Sequence, residues 1–169
     1  HSAIRQFVED VDWGVLDFLI VDLPPGTGDV QLSVAQTLPL TGGFIVTLPQ
    51  AVSLADARRG LELFRQLQVP VFGVIENMSY LAMPDGSQID VFGQGGGERL
   101  AEDTGVTFVG QIPLDPALRV GGDEGTPIVI AEPGSQSAMA LRKIAATVAE
   151  KSRAQSLQQG DVIPIEVIE

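Results

Sequence analysis

Residues 17–29, DFLIVDLPPGTGD, combine residue types that can handle a metal ion and a phosphate. An apolar run followed by Asp22 is a Walker B arrangement, in which a carboxylate at the end of a strand acts on Mg²⁺ directly or through water. Gly26 would let a backbone N–H approach a phosphate closely. A strand that ends in a solvated aspartate and a Pro-Gly turn accounts for the same residues. This segment alone therefore leaves both interpretations open.

A phosphate-binding loop of the form G-x-x-x-x-G-K-[ST] also needs a lysine that follows a glycine. The sequence has two lysines, Lys143 and Lys151, and both lie in the predicted C-terminal helix. The glycine-rich run FGQGGGE has no lysine. We therefore interpret that run as a flexible or close-packed loop rather than as a phosphate cradle.

Composition narrows the classes of site and partner. The 169 residues carry 22 acidic and 10 basic side chains, a formal net charge of −12, which disfavours nucleic-acid and membrane-surface partners. Cysteine is absent, and the one histidine is His1. These counts exclude disulfides, thiolate ligands and histidine-based catalytic triads within this sequence. With no signal-like or membrane-spanning run, a cytoplasmic protein is expected.

Hydrophobic patterning predicts alternating strands and helices. Apolar runs predict strands at 17–24, 42–49, 69–77 and 106–114, and helical spacing predicts helices at 3–12, 28–38, 53–67, 98–105 and 134–155. This order predicts an α/β fold, a layered and mostly parallel sheet flanked by helices. Ligands bind beyond the carboxyl ends of such strands, where polar or turn residues follow all four predicted strands. Residues 79–97 are expected to form a long glycine-rich loop, and 160–169 an edge strand or loose tail.

Five segments in order resemble the Mrp/ApbC family of MinD-like, deviant-Walker P-loop ATPases, which are scaffolds and carriers in iron–sulfur cluster assembly. They are DFLIVDLPPGTGDVQLSVAQ, GGFIVTLPQAVSLADARRGLELF, VPVFGVIENMSY, DVFGQGGGERLA and GQIPLDPALRVGGDEGTPIV. DLPPGTGD together with ENMS is highly specific. The resemblance covers roughly residues 1–150 and implies the C-terminal portion of a P-loop ATPase domain at 1–153, with a tail at 154–169. The family's GKGGxGK[ST] loop would lie upstream of His1, so we expect a fragment, a processed chain or a truncated homologue.

The resemblance implies roles for individual residues, and each has a plain structural alternative such as capping a turn or ending a strand. Asp22 matches the aspartate near Mg²⁺ and the attacking water. Residues Pro25, Gly26 and Thr27 match the segment that senses the γ-phosphate, with Gly26 among the catalytic candidates. Asn77 matches the asparagine that pairs with the adenine edge. The loop that lines the base corresponds to Pro113, Leu114 and Asp115.

One departure concerns the cluster. Many members carry a C-x-x-C shortly after ENMS, where cysteines of two subunits bridge a cluster, and these positions fall at Met83 and Gly86. Neither residue can replace a thiolate ligand of a [4Fe–4S] cluster. Cluster carriage by that route is therefore in doubt, whereas ATP and Mg²⁺ remain the implied cofactors.

Three functional hypotheses follow. The first is an ATP-binding iron–sulfur assembly factor that forms a homodimer and serves client or scaffold proteins, with hydrolysis coupled to rearrangement of the dimer. The second is a MinD/ParA-like ATPase switch, which the acidic charge disfavours. The third is a non-catalytic binding module on the same fold, favoured if these residues are the whole protein. Without a phosphate-gripping lysine, this chain alone is expected to be inactive as an ATPase.

Overall fold

The computed structural model describes residues 6, 10–23, 28–83 and 85–159. Its helices and strands, in chain order, are α1 (Asp29–Thr37), β1 (Gly43–Thr47), α2 (Ala51–Gln66), β2 (Val71–Glu76), β3 (Leu81–Ala82), β4 (Gln88–Ile89), α3 (Gly96–Thr104), β5 (Phe108–Gln111), α4 (Pro116–Glu124), α5 (Ile128–Ala131) and α6 (Gln136–Gln159). No helix among these residues is long and apolar enough to cross a bilayer.

Three parallel strands form the main sheet in the order β1–β2–β5. Thr47 pairs with Glu76, and Glu76 pairs with Gln111, so all three strands end at the same edge. Apolar side chains cover both faces of β2, which explains why its sequence is nearly continuous in apolar residues. The three strands predicted at 42–49, 69–77 and 106–114 are therefore confirmed.

Helices cover the two faces of this sheet. On one face, a buried cluster joins α2 and α3 to the strands: Ile45, Ala57, Leu61, Phe64, Val69, Val74, Leu100 and Ala101. On the other face, Ile144 of α6 packs with Ile75, Val109 and Ile112. These two clusters make a three-layer α/β arrangement and confirm the predicted fold class. The helices predicted at 28–38, 53–67, 98–105 and 134–155 are present with shifted ends.

The strand predicted at 17–24 is wrong. Residues 17–23 form no strand, and most of their apolar side chains are exposed, with Ile20 at 75%. An apolar run shows that a segment can be buried, but a strand also needs a neighbouring strand to take its backbone hydrogen bonds. Among the described residues no strand pairs with this segment. Residue 24, most of the helix predicted at 3–12 and the tail at 160–169 lie outside the described residues.

Two further regions differ from expectation. The loop predicted at 79–97 contains an antiparallel hairpin, in which Leu81 pairs with Ile89 and Ala82 with Gln88. Helix α6 continues without a break through the domain boundary predicted at 153/154, so residues 154–159 extend the helix. The division into an ATPase portion and a tail stays a prediction.

Candidate functional site

The segments that follow β2 and β5 run side by side at the carboxyl edge of the sheet. The Ser79 N–H donates to the Ile112 carbonyl at 3.0 Å, and the Leu114 N–H donates to the Tyr80 carbonyl at 2.7 Å. Leu81 and Leu114 form a further parallel bridge. The structure therefore brings the ENMS segment together with the IPLDP segment. Parallel strands of α/β proteins bind ligands at this edge.

Asn77 begins a sharp turn directly after β2. Its backbone N–H donates to the Thr47 carbonyl at 2.8 Å, which ties the turn to the end of β1. The next residue, Met78, has φ +52°, a left-handed conformation that is uncommon for a side chain of this kind. Such local strain is often found at functional sites.

The side chain of Asn77 is oriented by its own turn. Its Oδ1 accepts a hydrogen bond from the Met78 N–H at 3.0 Å. No described residue accepts a hydrogen bond from its Nδ2, and the side chain is half-buried. Within the described part of the chain, the two Nδ2 hydrogens and the second lone pair of Oδ1 thus have no partner, and this donor–acceptor pair matches the N7 and N6 positions of adenine.

Asp115 has a structural task at the end of the neighbouring segment. Its Oδ1 accepts the Ala117 N–H at 2.9 Å and caps α4, and its Oδ2 accepts the Ser137 hydroxyl at 2.6 Å. Both carboxylate oxygens are therefore used to join α4 to the start of α6. Pro113 is buried and Leu114 half-buried beside it. The predicted base-lining role of these three residues stays a prediction.

The structure describes only part of the segment that holds the candidate metal- and phosphate-binding residues. Asp22 is exposed, while its neighbour Leu23 packs against the buried cluster that joins α2, α3 and the sheet. Among the described residues no hydrogen bond joins Asp22 to the Asn77 turn, and no group of three acidic, histidine or cysteine side chains could hold a metal. Mg²⁺ is commonly bound by one or two carboxylates together with phosphates, so a single aspartate fits that mode. Pro25, Gly26 and Thr27 lie outside the described residues.

The hairpin turn contains Met83 and Gly86, the positions to which the family resemblance assigns the cysteines. The Gly86 N–H donates to the Met83 carbonyl at 3.0 Å, so the two residues occupy the first and last positions of one tight turn. Gly86 has φ +84°, a conformation that favours glycine. The Ser87 hydroxyl and backbone N–H both donate to the Asp85 carboxylate and hold the pKa of that group below its ordinary value. Since the sequence contains no cysteine, the turn offers no thiolate ligand.

A buried carboxylate that the sequence analysis did not single out lies in the same region. Glu76, the last residue of β2, is 0% exposed. The Gly97 N–H donates to its Oε2 at 2.6 Å, and the Gln111 side-chain amide donates to its Oε1 at 3.2 Å. A charged residue at the end of an apolar strand normally indicates a solvated strand end. The two adjacent glycines, Gly96 and Gly97, were the available signal of a close approach.

Two glycines of the glycine-rich run FGQGGGE, Gly96 and Gly97, are close-packed. A Cβ on Gly96 would lie 2.5 Å from the Pro49 carbonyl oxygen, and a Cβ on Gly97 would lie 3.0 Å from the Cβ of Glu76. The Gly97 N–H is also already bonded to Glu76. At these two glycines the run is close-packed, which agrees with the interpretation of it as a flexible or close-packed loop.

Comparison with known proteins identifies the relatives of the chain. The profile of the ParA family, described as "NUBPL iron-transfer P-loop NTPase", matches residues 1–149. An iron–sulfur cluster carrier protein of Synechocystis sp. is 54% identical over 153 residues, which are 89% of this chain and 43% of that protein. The chain spans less than half the length of the curated relatives it matches.

Solved structures agree with this result. The ADP complex of a nucleotide-binding protein from Archaeoglobus fulgidus is 36% identical with a TM-score of 0.69, over 79% of this chain and 54% of that one. The cell division ATPase MinD of Pyrococcus furiosus has a TM-score of 0.62 at 22% identity, over 87% of this chain and 57% of that one. The second comparison supports the fold alone, and it confirms the predicted MinD-like architecture.

Proposed function

The chain belongs to the ParA family of NUBPL-type iron-transfer P-loop NTPases, and on that premise we propose that its protein binds an adenine nucleotide and takes part in carrying iron–sulfur clusters. The family match supports the carrier function, because the relatives are named iron–sulfur cluster carrier or transfer proteins. The orientation of the Asn77 amide supports the nucleotide part. That amide is the single observation in the structure that carries the proposal.

In this proposal Asn77 recognises the base. Its Nδ2 donates to the adenine ring while Oδ1 accepts from the exocyclic amine, as asparagine does when it binds adenine bidentately. Pro113 and Leu114 would form an apolar wall beside the base, because their segment is bonded to the turn that follows Asn77. Asp22 would bind Mg²⁺ together with the phosphates, and Pro25, Gly26 and Thr27 would respond to the γ-phosphate.

The cluster is cargo in this proposal rather than a resident cofactor. Iron–sulfur clusters are held by thiolates, and these 169 residues contain none. No step of cluster binding is therefore assigned to side chains of this sequence. The proposal also includes a homodimer, hydrolysis coupled to its rearrangement, client or scaffold proteins as partners, and a cytoplasmic location. The location is expected from the hydrophobic pattern of the sequence, and the others come from the family.

The test is nucleotide binding by the protein as its gene encodes it. We expect Mg-ATP binding by isothermal titration calorimetry, and Asn77→Ala should weaken it by about fivefold to a hundredfold, because it removes a bidentate pair of hydrogen bonds to the base. Gln66→Ala is the matched control, since it removes an exposed side-chain amide from the far end of α2. Equal affinities of the Asn77→Ala and Gln66→Ala variants would refute the base contact.

Cluster carriage needs its own measurement. Protein purified under anaerobic conditions after reconstitution with iron and sulfide should restore activity to an apo-enzyme that requires a [4Fe–4S] cluster. Protein that binds Mg-ATP but never delivers a cluster would favour the ATPase-switch alternative instead.

A further inference from the structure

The buried carboxylate of Glu76 lies at the junction of the segments that form the candidate site. Its two oxygens accept hydrogen bonds from different elements, the first turn of α3 and the end of β5. Its backbone carbonyl accepts two more, from the Ile112 N–H at 2.8 Å and from the Ser79 hydroxyl at 3.1 Å. Glu76 is therefore hydrogen-bonded to α3, to the end of β5 and to Ser79 in the turn that carries Asn77.

The N-terminus of α3 packs closely against the ends of β1 and β2, because the first two residues of the helix are glycines. Gly96 approaches Pro49 after β1, and Gly97 approaches Glu76 at the end of β2. Any Cβ at Gly96 would overlap the Pro49 carbonyl, so only glycine permits this approach. The Glu76 carboxylate then closes the junction by accepting the Gly97 N–H.

No basic side chain compensates this carboxylate, since none of the ion pairs among the described residues includes Glu76. Its favourable partners are the N–H group and the positive end of α3, and the amide of Gln111. Burying a carboxylate is costly unless it is hydrogen-bonded. A leucine or valine in its place would leave the buried Gly97 N–H without this acceptor, so the carboxylate joins α3 to β2 in a way that an apolar side chain could not.

We propose that Glu76 is a positioning residue for nucleobase recognition, whose carboxylate holds the Asn77 turn in a fixed position against α3 and β5. The inference rests on the proposed function, because it assumes that Asn77 contacts the base. Glu76 itself is fully buried and touches no ligand. Its effect is exerted through the adjacent peptide, since β2 ends at Glu76 and the turn starts at the next residue. Loss of the carboxylate frees the turn and misplaces the Asn77 amide.

The readout is discrimination between ATP and ITP by the protein as its gene encodes it. ITP differs from ATP at the base edge, where a carbonyl replaces the exocyclic amine and would face Asn77 Oδ1. A fixed Asn77 should therefore prefer ATP by about tenfold, the worth of one hydrogen bond gained or opposed. Glu76→Ala should reduce this ratio to about two, because a loose amide can rotate to suit either base.

Glu76→Gln should keep most of the ratio, because the new amide oxygen can accept the Gly97 N–H while Gln111 turns its own oxygen toward the new NH₂. Glu98→Ala is the matched control, since it removes an exposed glutamate from the same first turn of α3 and should leave the ratio unchanged. Hydrogen exchange at the Gly97 amide reports whether the junction has opened. If Glu76→Ala does not fold, Gln111→Ala takes its place, because it removes one of the two hydrogen bonds to the Glu76 carboxylate. A fall in the ratio of ATP to ITP affinity then supports the inference, and an unchanged ratio overturns it.

The outcomes separate the two proposals. If Asn77→Ala abolishes the ATP preference while Glu76→Ala keeps it and the Gly97 amide exchanges rapidly, Glu76 has only a structural role and the inference is overturned. If Asn77→Ala itself keeps the preference, both the base contact and the inference are overturned. A preference lost in both alanine variants and retained in Glu76→Gln supports the inference.

Discussion

Replacing Asp115 separates its observed structural role from its predicted place beside the base. Its two carboxylate oxygens cap α4 through Ala117 and bind the hydroxyl of Ser137, which is 1% exposed. Asp115→Ala removes the cap, at a cost of about 1 kcal/mol. It also leaves the buried Ser137 hydroxyl without its acceptor, which adds about 1–2 kcal/mol. We therefore expect the free energy of unfolding to fall by about 2–3 kcal/mol.

Two companion variants make this expectation specific. Asp115→Asn keeps an oxygen for the cap, and its NH₂ can donate a hydrogen bond to the Ser137 hydroxyl oxygen. It should therefore lower the free energy of unfolding by less than about 1 kcal/mol. Ser137→Ala removes the hydroxyl together with its need for a partner and should cost about 1 kcal/mol. The double variant Asp115→Ala/Ser137→Ala should therefore lose less free energy of unfolding than the two single variants lose together.

Urea-induced unfolding followed by far-UV circular dichroism measures these differences, provided that the slope with urea stays constant among the variants. An Asp115→Ala variant within about 0.5 kcal/mol of the wild type would refute the reasoning, since that range is typical of surface substitutions without a structural role. So would equal losses for Asp115→Ala and Asp115→Asn. Nucleotide affinity that falls in Asp115→Asn without a change in stability would support the base-lining role instead.

Two other expectations concern the glycines of α4 and the hairpin turn. Gly121→Ala should destabilise the protein by about 1–3 kcal/mol because its Cβ would lie 2.5 Å from the Thr126 carbonyl oxygen. Gly122→Ala should stabilise the protein by about 0.5–1 kcal/mol, because its Cβ would have no atom within 4 Å and alanine favours a helix more than glycine does. Equal thermal midpoints of unfolding for the two variants would contradict both expectations. NMR titration should give Asp85 a pKa below its ordinary value, and Ser87→Ala should raise it. The stability that this depressed pKa contributes is present above the unfolded-state pKa and is lost as pH falls through the folded-state pKa, so unchanged titration in Ser87→Ala would contradict the hydrogen-bond explanation.

The hydrophobic periodicity of the sequence is sufficient to predict elements whose structure depends only on which side chains are buried. The apolar stripe of α2, for example, places Ala57, Leu61 and Phe64 in the core as its spacing predicts. It was insufficient at 17–23, where the apolar pattern is strong and yet no strand pairs with the segment. Helix α4 was missed because Gly121 and Gly122 interrupt its apolar pattern, although Asp115 followed by Pro116 is a typical helix start.

The candidate site was predictable in part for similar reasons. The positions of Asn77 and Leu114 follow from the rule that parallel strands end at one edge, and the structure brings their segments together. Periodicity does not predict the burial of Glu76, since that burial depends on the backbone N–H of Gly97, 21 residues away, and only the paired glycines hint at the close approach. A hydrogen bond between distant segments leaves no periodic trace in the sequence.

Strand β1 lies at one edge of the main sheet, and among the described residues nothing pairs with its outer side. Val46 of that strand is 60% exposed, and the apolar run at 15–21 is also largely exposed. An unpaired strand edge is a template for other chains, and exposed apolar side chains provide further surface for association. These 169 residues, produced by themselves, would thus fold in competition with self-association. Folding is independent of concentration and association is not, so the yield of monomer depends on how dilute the chain is kept during synthesis.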